Sequence, residues 1–184
     1  MISDLNRILL RKRFLDDMFF LWVGTVADFT EFKEMLNVLG SKMTFTLKGD
    51  VANTVDFLDV RVSNVKGGLE TTIFVKPTDS TRYLHRRSDH SAHMFTAIPY
   101  SQFRRAVVIC SETSERDKCM DYMKKKFLDS GYHESELEAA RERALRLNRL
   151  EILLPEPRST LDSSQAMEIL TFVINHDPAM AIHV

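Results

Sequence analysis

Near residue 80 the apolar residues of this chain stop recurring at alternate positions and begin to recur at every third or fourth, and that switch limits the fold more than any other feature. Upstream, residues 13 to 27 hold two apolar runs around Asp16-Asp17, which predicts a strand, a tight acidic turn and a second strand. Asp28 or Thr30 then caps a helix whose apolar positions Phe29, Phe32, Met35, Leu36 and Leu39 keep helical spacing up to Gly40. Lys42 to Lys48 alternates as a strand does. Val55 to Val62 turns through Lys66-Gly67-Gly68 into Leu69 to Val75, a hairpin closed by Lys76-Pro77.

Downstream of the switch, helical patterns run over Tyr100 to Ser111, Ser114 to Ser130 and Glu134 to Leu153, with Gly131 as the stop between the last two. Pro155-Glu156-Pro157-Arg158-Ser159 reads as a linker, and Ile169 to Ile174 as either a strand or a helix. The expected class is α+β: β-turn-β-α-β-β-β over residues 1–80, a helical region over 81–154, and a linker and tail over 155–184.

With 44% hydrophobic and 28% charged residues the composition is that of a packed core, which excludes a disordered or low-complexity chain. A formal charge of -1 gives no global attraction to phosphates, so any such affinity has to come from a local patch. One exists. Between Lys76 and Arg105 six cations (Lys76, Arg82, Arg86, Arg87, Arg104, Arg105) face two acids, Asp79 and Asp89. Interleaved with Tyr83, Phe95, Tyr100 and Phe103, they suit a surface that tracks a sugar-phosphate backbone, with a solvated charged face as the competing reading.

Other motifs are less specific. His85, His90 and His93 lack a fourth ligand and fit no zinc spacing, so they belong to the basic surface. Cys110 and Cys119 match no zinc pattern either and read as buried small apolar residues in a reducing compartment. Met18 to Val23, the most apolar stretch, is far short of the roughly 20 residues a membrane helix needs. An intracellular protein of nucleus or cytoplasm, with no membrane partner, is expected. Tyr100 to Ser130 also admits a helix-turn-helix reading, without a set of base-reading side chains on one helix.

Adjacent carboxylates at a hairpin tip repel each other, and a divalent cation such as Mg²⁺ relieves that repulsion. Arg13-Phe14-Leu15-Asp16-Asp17-Met18-Phe19-Phe20-Leu21-Trp22 resembles the aspartate-pair hairpin of reverse transcriptases, above all the form found in Penelope-like retroelements. Val55-Asp56-Phe57-Leu58-Asp59-Val60 and Phe74-Val75-Lys76-Pro77-Thr78-Asp79 resemble the signatures that follow it. Tyr83-Leu84-His85, Ser88-Asp89-His90, Ile98-Pro99-Tyr100-Ser101-Gln102 and Arg105 to Ser111 look like the start of the thumb, and Gly131-Tyr132 falls where that family has the same pair.

The resemblance implies a partial palm, of antiparallel strands plus one helix, followed by a helical thumb-like region. It implies Asp16 as a metal ligand, Asp17 as its supporting catalytic neighbour, Mg²⁺ as cofactor and an RNA/DNA duplex or primer-template as partner. A palm of this kind takes a further aspartate from a strand well before the hairpin. Only 13 residues precede Phe14 here, and Asp4 is a poor substitute. The expected function is therefore a remnant of an RNA-directed DNA polymerase, inactive as an isolated chain, with residual nucleic-acid binding. The alternatives are a co-opted helical nucleic-acid-binding or protein-interaction module, and an active polymerase assembled with a separate fingers chain. An apolar patch of Phe14, Phe19 and Phe20 would favour self-association.

Overall fold

The computed structural model describes residues 7–39, 44–48, 53–65, 68–80 and 82–153, together with the backbone of 168–175. Asp4, Gly40 and the Pro155 to Ser159 linker lie outside the described residues. The chain divides into unit 1, residues 1–69 with 162–184, and unit 2, residues 70–161. The division thus falls at residues 69 and 70 instead of near 80, and part of the presumed tail belongs to unit 1.

In unit 1, β1 (Ile8–Phe14) and β2 (Asp17–Trp22) form the expected hairpin, with Phe14 opposite Asp17 and Leu15-Asp16 as a two-residue turn. Leu15 has φ 50, a positive value at the first turn position, which matches the twist of the flanking strands but is unfavourable for a side chain. Residues of β2 alternate between two apolar clusters. Phe20 and Trp22 pack with Phe29, Phe32 and Phe45, while Phe19 and Leu21 pack with Val55 and Val62. Phe19 and Phe20 are therefore buried, so the three-phenylalanine patch does not form, and only Phe14 of that set is exposed. The physical reason is that both faces of β2 are covered.

Helix α1 (Val26–Leu39) starts two residues before Asp28 and four before Thr30, the residues expected to cap it. Thr25 caps it in a reciprocal box: the Asp28 amide donates to Thr25 Oγ1 at 3.2 Å, and the Thr25 amide donates to Asp28 Oδ2 at 2.9 Å. Arg7 completes the arrangement, 2.6 Å from Asp28 Oδ2. Buried ring contacts Trp22–Phe29 (5.1 Å) and Trp22–Phe32 (5.3 Å) fix the helix on the sheet, each worth about 0.5–1.5 kcal/mol beyond burial. Asn37 then ties the helix to β3 (Thr44–Lys48) by donating to Phe45 O and accepting from Phe45 N.

β7 (Glu168–Asn175) resolves the open reading of Ile169 to Ile174: it is a strand, antiparallel to both β2 and β3, in a sheet ordered β1-β2-β7-β3. Its Ile, Thr, Phe and Val content suits a pleated strand. The stretch Val55 to Val62 is not one strand. β4 (Thr54–Phe57) and β5 (Val60–Val65) form a tight hairpin about Leu58-Asp59, and Leu58 has φ 57. Both hairpins thus turn on the sequence Phe-Leu-Asp. β6 (Gly68–Ile73) follows in the chain and runs across the division between the units.

Unit 2 holds α2 (Ala92–Ile109), α3 (Thr113–Asp129), α4 (Glu134–Leu145) and the short α5 (Arg149–Leu153). Helix α2 begins well before Tyr100 and carries Pro99 inside it. Proline costs an interior hydrogen bond, but Pro99 and Phe95 are both buried with Phe103 on one helical face, and that burial offsets the loss. The helix expected over Glu134 to Leu153 breaks at Asn148, whose Oδ1 accepts from the Leu150 amide at 3.0 Å.

Gly131 is the expected stop. With φ 82 it closes a Schellman motif in which the Tyr132 amide donates to Phe127 O and the Gly131 amide to Leu128 O. The apolar contact that accompanies such motifs is Phe127 against Tyr132, with ring centroids 5.1 Å apart. Phe127 is also stacked on Tyr83 at 3.8 Å and is fully buried.

Candidate nucleic-acid interface

The fold sets Arg82 and Arg105 of the basic stretch along a cavity, ties Arg86 to α4, and leaves Lys76, Arg87 and Arg104 exposed. Loop residues after β6 and one face each of α2 and α3 enclose a cavity of about 500 Å³ within unit 2. Arg82 and Arg105 from the predicted set line it, joined by Lys118 and Asp79, with Tyr83 and Tyr122 as aromatic walls. Helical spacing explains the assembly: Gln102 and Arg105 share a face of α2, and Lys118, Cys119, Tyr122 and Met123 share a face of α3. Tyr83 is half-buried, and burial pushes its hydroxyl up to about 12.

Arg86 does not belong to this group. Its guanidinium donates to both carboxylate oxygens of Glu136, at 3.1 and 3.4 Å, and lies 4.7 Å over the Phe95 ring. The hydrogen bond from Arg86 holds the Glu136 carboxyl below its usual range. Glu136 is also the third residue of the α4 capping box, accepting from the His133 amide. Arg86 is thus a clamp between the loop and α4. Lys76, Arg87 and Arg104 are exposed, Arg104 on the outer face of α2. His90 and His93 are exposed too, while His85 accepts a hydrogen bond from the Arg87 amide at Nδ1.

Lys118 was not legible from the basic run because it lies outside it, on α3; the signal was its helical spacing with Tyr122, four residues on. Lys118 is itself paired with Glu115 on α3, at 2.6 Å, while Lys124 with Glu134 and Glu138, and Arg141 with Asp121, form cross-helix ion pairs between α3 and α4.

In unit 1, Asp16 is exposed in the hairpin turn and Asp17 is half-buried at the start of β2. The register sets Val173 of β7 opposite Asp17, with Phe172 and Ile174 on either side. Among the described residues no further carboxylate stands opposite Asp17 in the sheet. Among the described residues no group of three or more His, Cys, Asp or Glu stands close enough to hold a metal ion. Among the described residues the donor set there is Asp16 and Asp17 alone, whereas a two-ion Mg²⁺ centre needs carboxylates that bridge both ions.

Residues 82–142 match the animal helix-turn-helix domain family. No curated protein and no solved structure matches the chain. The matched segment takes in α2, α3 and α4 through most of its length, together with Arg82 and the clamp at Arg86. Among the described residues no helix is long and apolar enough to cross a membrane.

Proposed function

We propose that the chain is a palm-and-thumb portion of a reverse transcriptase of the Penelope-like kind, without polymerase activity of its own, and that unit 2 keeps non-specific binding to a sugar-phosphate backbone. The observation that carries the binding reading is the cavity where Arg82, Arg105 and Lys118 meet Tyr83 and Tyr122, inside the unit similar to animal helix-turn-helix domains. Cations supply attraction to phosphates, and tyrosine rings offer faces to sugars or bases. Exposed Arg87, Arg104 and Lys76 extend the positive surface. Support for the palm reading comes from the two-residue hairpin that presents Asp16 and Asp17, in a unit of antiparallel strands plus the one helix α1, as the sequence resemblance implies. The reading that the chain has no polymerase activity of its own is supported by the carboxylate pair Asp16 and Asp17 standing without a third ligand among the described residues, and no chemical step is assigned to it.

The test is fluorescence anisotropy of a labelled single-stranded RNA and a labelled RNA–DNA duplex with the full chain over a salt series. Binding is expected to weaken steeply with salt. Replacing Arg82, Arg105 and Lys118 together by alanine is expected to flatten the log–log slope by roughly 2, at about 0.7–0.9 per phosphate contact. Absence of binding at low salt, or an unchanged slope in the triple variant, refutes the interface. Primer extension on an RNA template with Mg²⁺, lost on Asp16→Asn, refutes the inactive palm.

A further inference from the structure

Cys110 ends α2 and Cys119 lies in the second turn of α3, and the short Ser111-Glu112 connection brings their sulfurs to 3.9 Å. Thr72 Oγ1, on β6, stands 3.7 Å from each. The two thiols differ in access. Cys110 is buried, whereas Cys119 is half-buried and lines the cavity. Two apolar core cysteines would satisfy the packing, but that reading does not account for one sulfur facing an open cavity while hydrogen-bonded to the other.

We propose that Cys110 and Cys119 are an oxidation site at which a small hydroperoxide entering the cavity closes an intramolecular disulfide between α2 and α3. Bringing the sulfurs from 3.9 Å to a bond of about 2.05 Å asks for a movement of roughly 2 Å, within the reach of small χ1 adjustments. Cys119 is the attacking group. The Cys110 thiol donates to its sulfur, which lowers the Cys119 thiol below its ordinary range and raises that of Cys110, so the thiolate forms on the accessible side.

In the first step the Cys119 sulfur bonds to one peroxide oxygen, the O–O bond breaks, and the other oxygen leaves as water or an alcohol after taking a proton. That gives a sulfenic acid. In the second step the Cys110 sulfur attacks Cys119, the S–S bond forms, the S–O bond breaks, and hydroxide leaves as water with the Cys110 proton. Two thiols are oxidised and one hydroperoxide is reduced. The bond would pin the corner of unit 2 that carries Arg105 and Lys118, but the oxidation itself is independent of any nucleic-acid binding.

The experiment treats the folded, reduced full chain with hydrogen peroxide, blocks remaining thiols with N-ethylmaleimide, and reads intact mass and peptides by mass spectrometry. Expected are loss of two hydrogen atoms per chain, loss of both alkylation sites, and a Cys110–Cys119 cross-linked peptide that dithiothreitol reverses. Cys110→Ser is expected to stop at a dimedone-reactive Cys119, and Cys119→Ser to leave Cys110 reduced. The natural chain decides the matter if either variant misfolds. Two alkylatable thiols after peroxide, a disulfide between chains in place of one within a chain, or a sulfenic acid that never closes would each overturn the proposal.

Discussion

Leu15 and Leu58 occupy equivalent positions in two hairpin turns, at φ 50 and φ 57, and the geometry can be tested by the sign of a glycine–alanine difference. At an ordinary strand position glycine is less stable than alanine by about 0.5–1 kcal/mol, because the unfolded chain has more freedom to lose. In the left-handed region a residue with a Cβ pays about 1–2 kcal/mol that glycine does not. The second term wins. Leu15→Gly is therefore expected to be more stable than Leu15→Ala by about 0.5–1 kcal/mol, and Leu58→Gly likewise more stable than Leu58→Ala. Comparing the two variants removes the packing term, because both delete the leucine side chain: Leu15 is 73% exposed and Leu58 only half-buried. Urea unfolding monitored at Trp22 reads unit 1, and with a slope of about 2 kcal/mol/M the midpoints should differ by roughly 0.2–0.5 M. Alanine variants equal to or more stable than glycine ones at both turns would show that the hairpins do not close with a positive first φ.

Phe127→Ala should cost unit 2 about 3–5 kcal/mol, since Phe127 is fully buried against Tyr83, Phe103 and Tyr132; thermal unfolding by near-ultraviolet circular dichroism checks it. Asp28 is held down to about 2 by the hydrogen bond from Arg7 and those from Thr25. Its folded value lies below the unfolded one of about 3.9, so its contribution is present above pH 4 and is lost as pH falls toward 2. Asp28→Asn should flatten that acid limb in a pH series of urea midpoints. Arg86→Ala should lower the melting temperature of unit 2 while leaving the salt slope of nucleic-acid binding unchanged, because its guanidinium is committed to Glu136 and Phe95.

Local signals carried the elements that depend on neighbours in sequence. Asp16-Asp17 between apolar runs marked a hairpin, Phe29 and Phe32 marked α1, and Gly131 marked a helix stop, since turn chemistry and helical period act over a few residues. What escaped depends on distant partners. Leucine is a poor turn signal, so the break at Leu58 was hidden inside an alternating apolar run. The turns of α2 before Tyr100 were missed because the burial of Phe95 and Phe103 that offsets Pro99 is tertiary. Within the basic stretch, composition could not separate Arg86, which folds back onto Glu136, from Arg82 and Arg105, which line the cavity. Cys110 and Cys119 are nine apart, a spacing with no motif, and meet only because two helices turn sharply on one another.

The same separation of local from tertiary information bears on self-association. An exposed set of Phe14, Phe19 and Phe20 would have invited a second copy, but Phe19 and Phe20 are spent on opposite faces of β2. What remains at this side of the sheet is β1, its outer strand, where Leu10, Phe14 and the turn residue Leu15 are exposed beside Arg11, Lys12 and Arg13. Three successive cations along an edge strand set like charges against one another if a second copy pairs there. The edge is therefore protected by charge although it is partly apolar. Replacing Arg11, Lys12 and Arg13 by threonine keeps strand propensity and removes that repulsion, so the variant is expected to associate at concentrations where the natural chain sediments as a monomer. A natural chain that already dimerises, with cross-links mapping to β1, would show that the exposed leucines and Phe14 outweigh the charges.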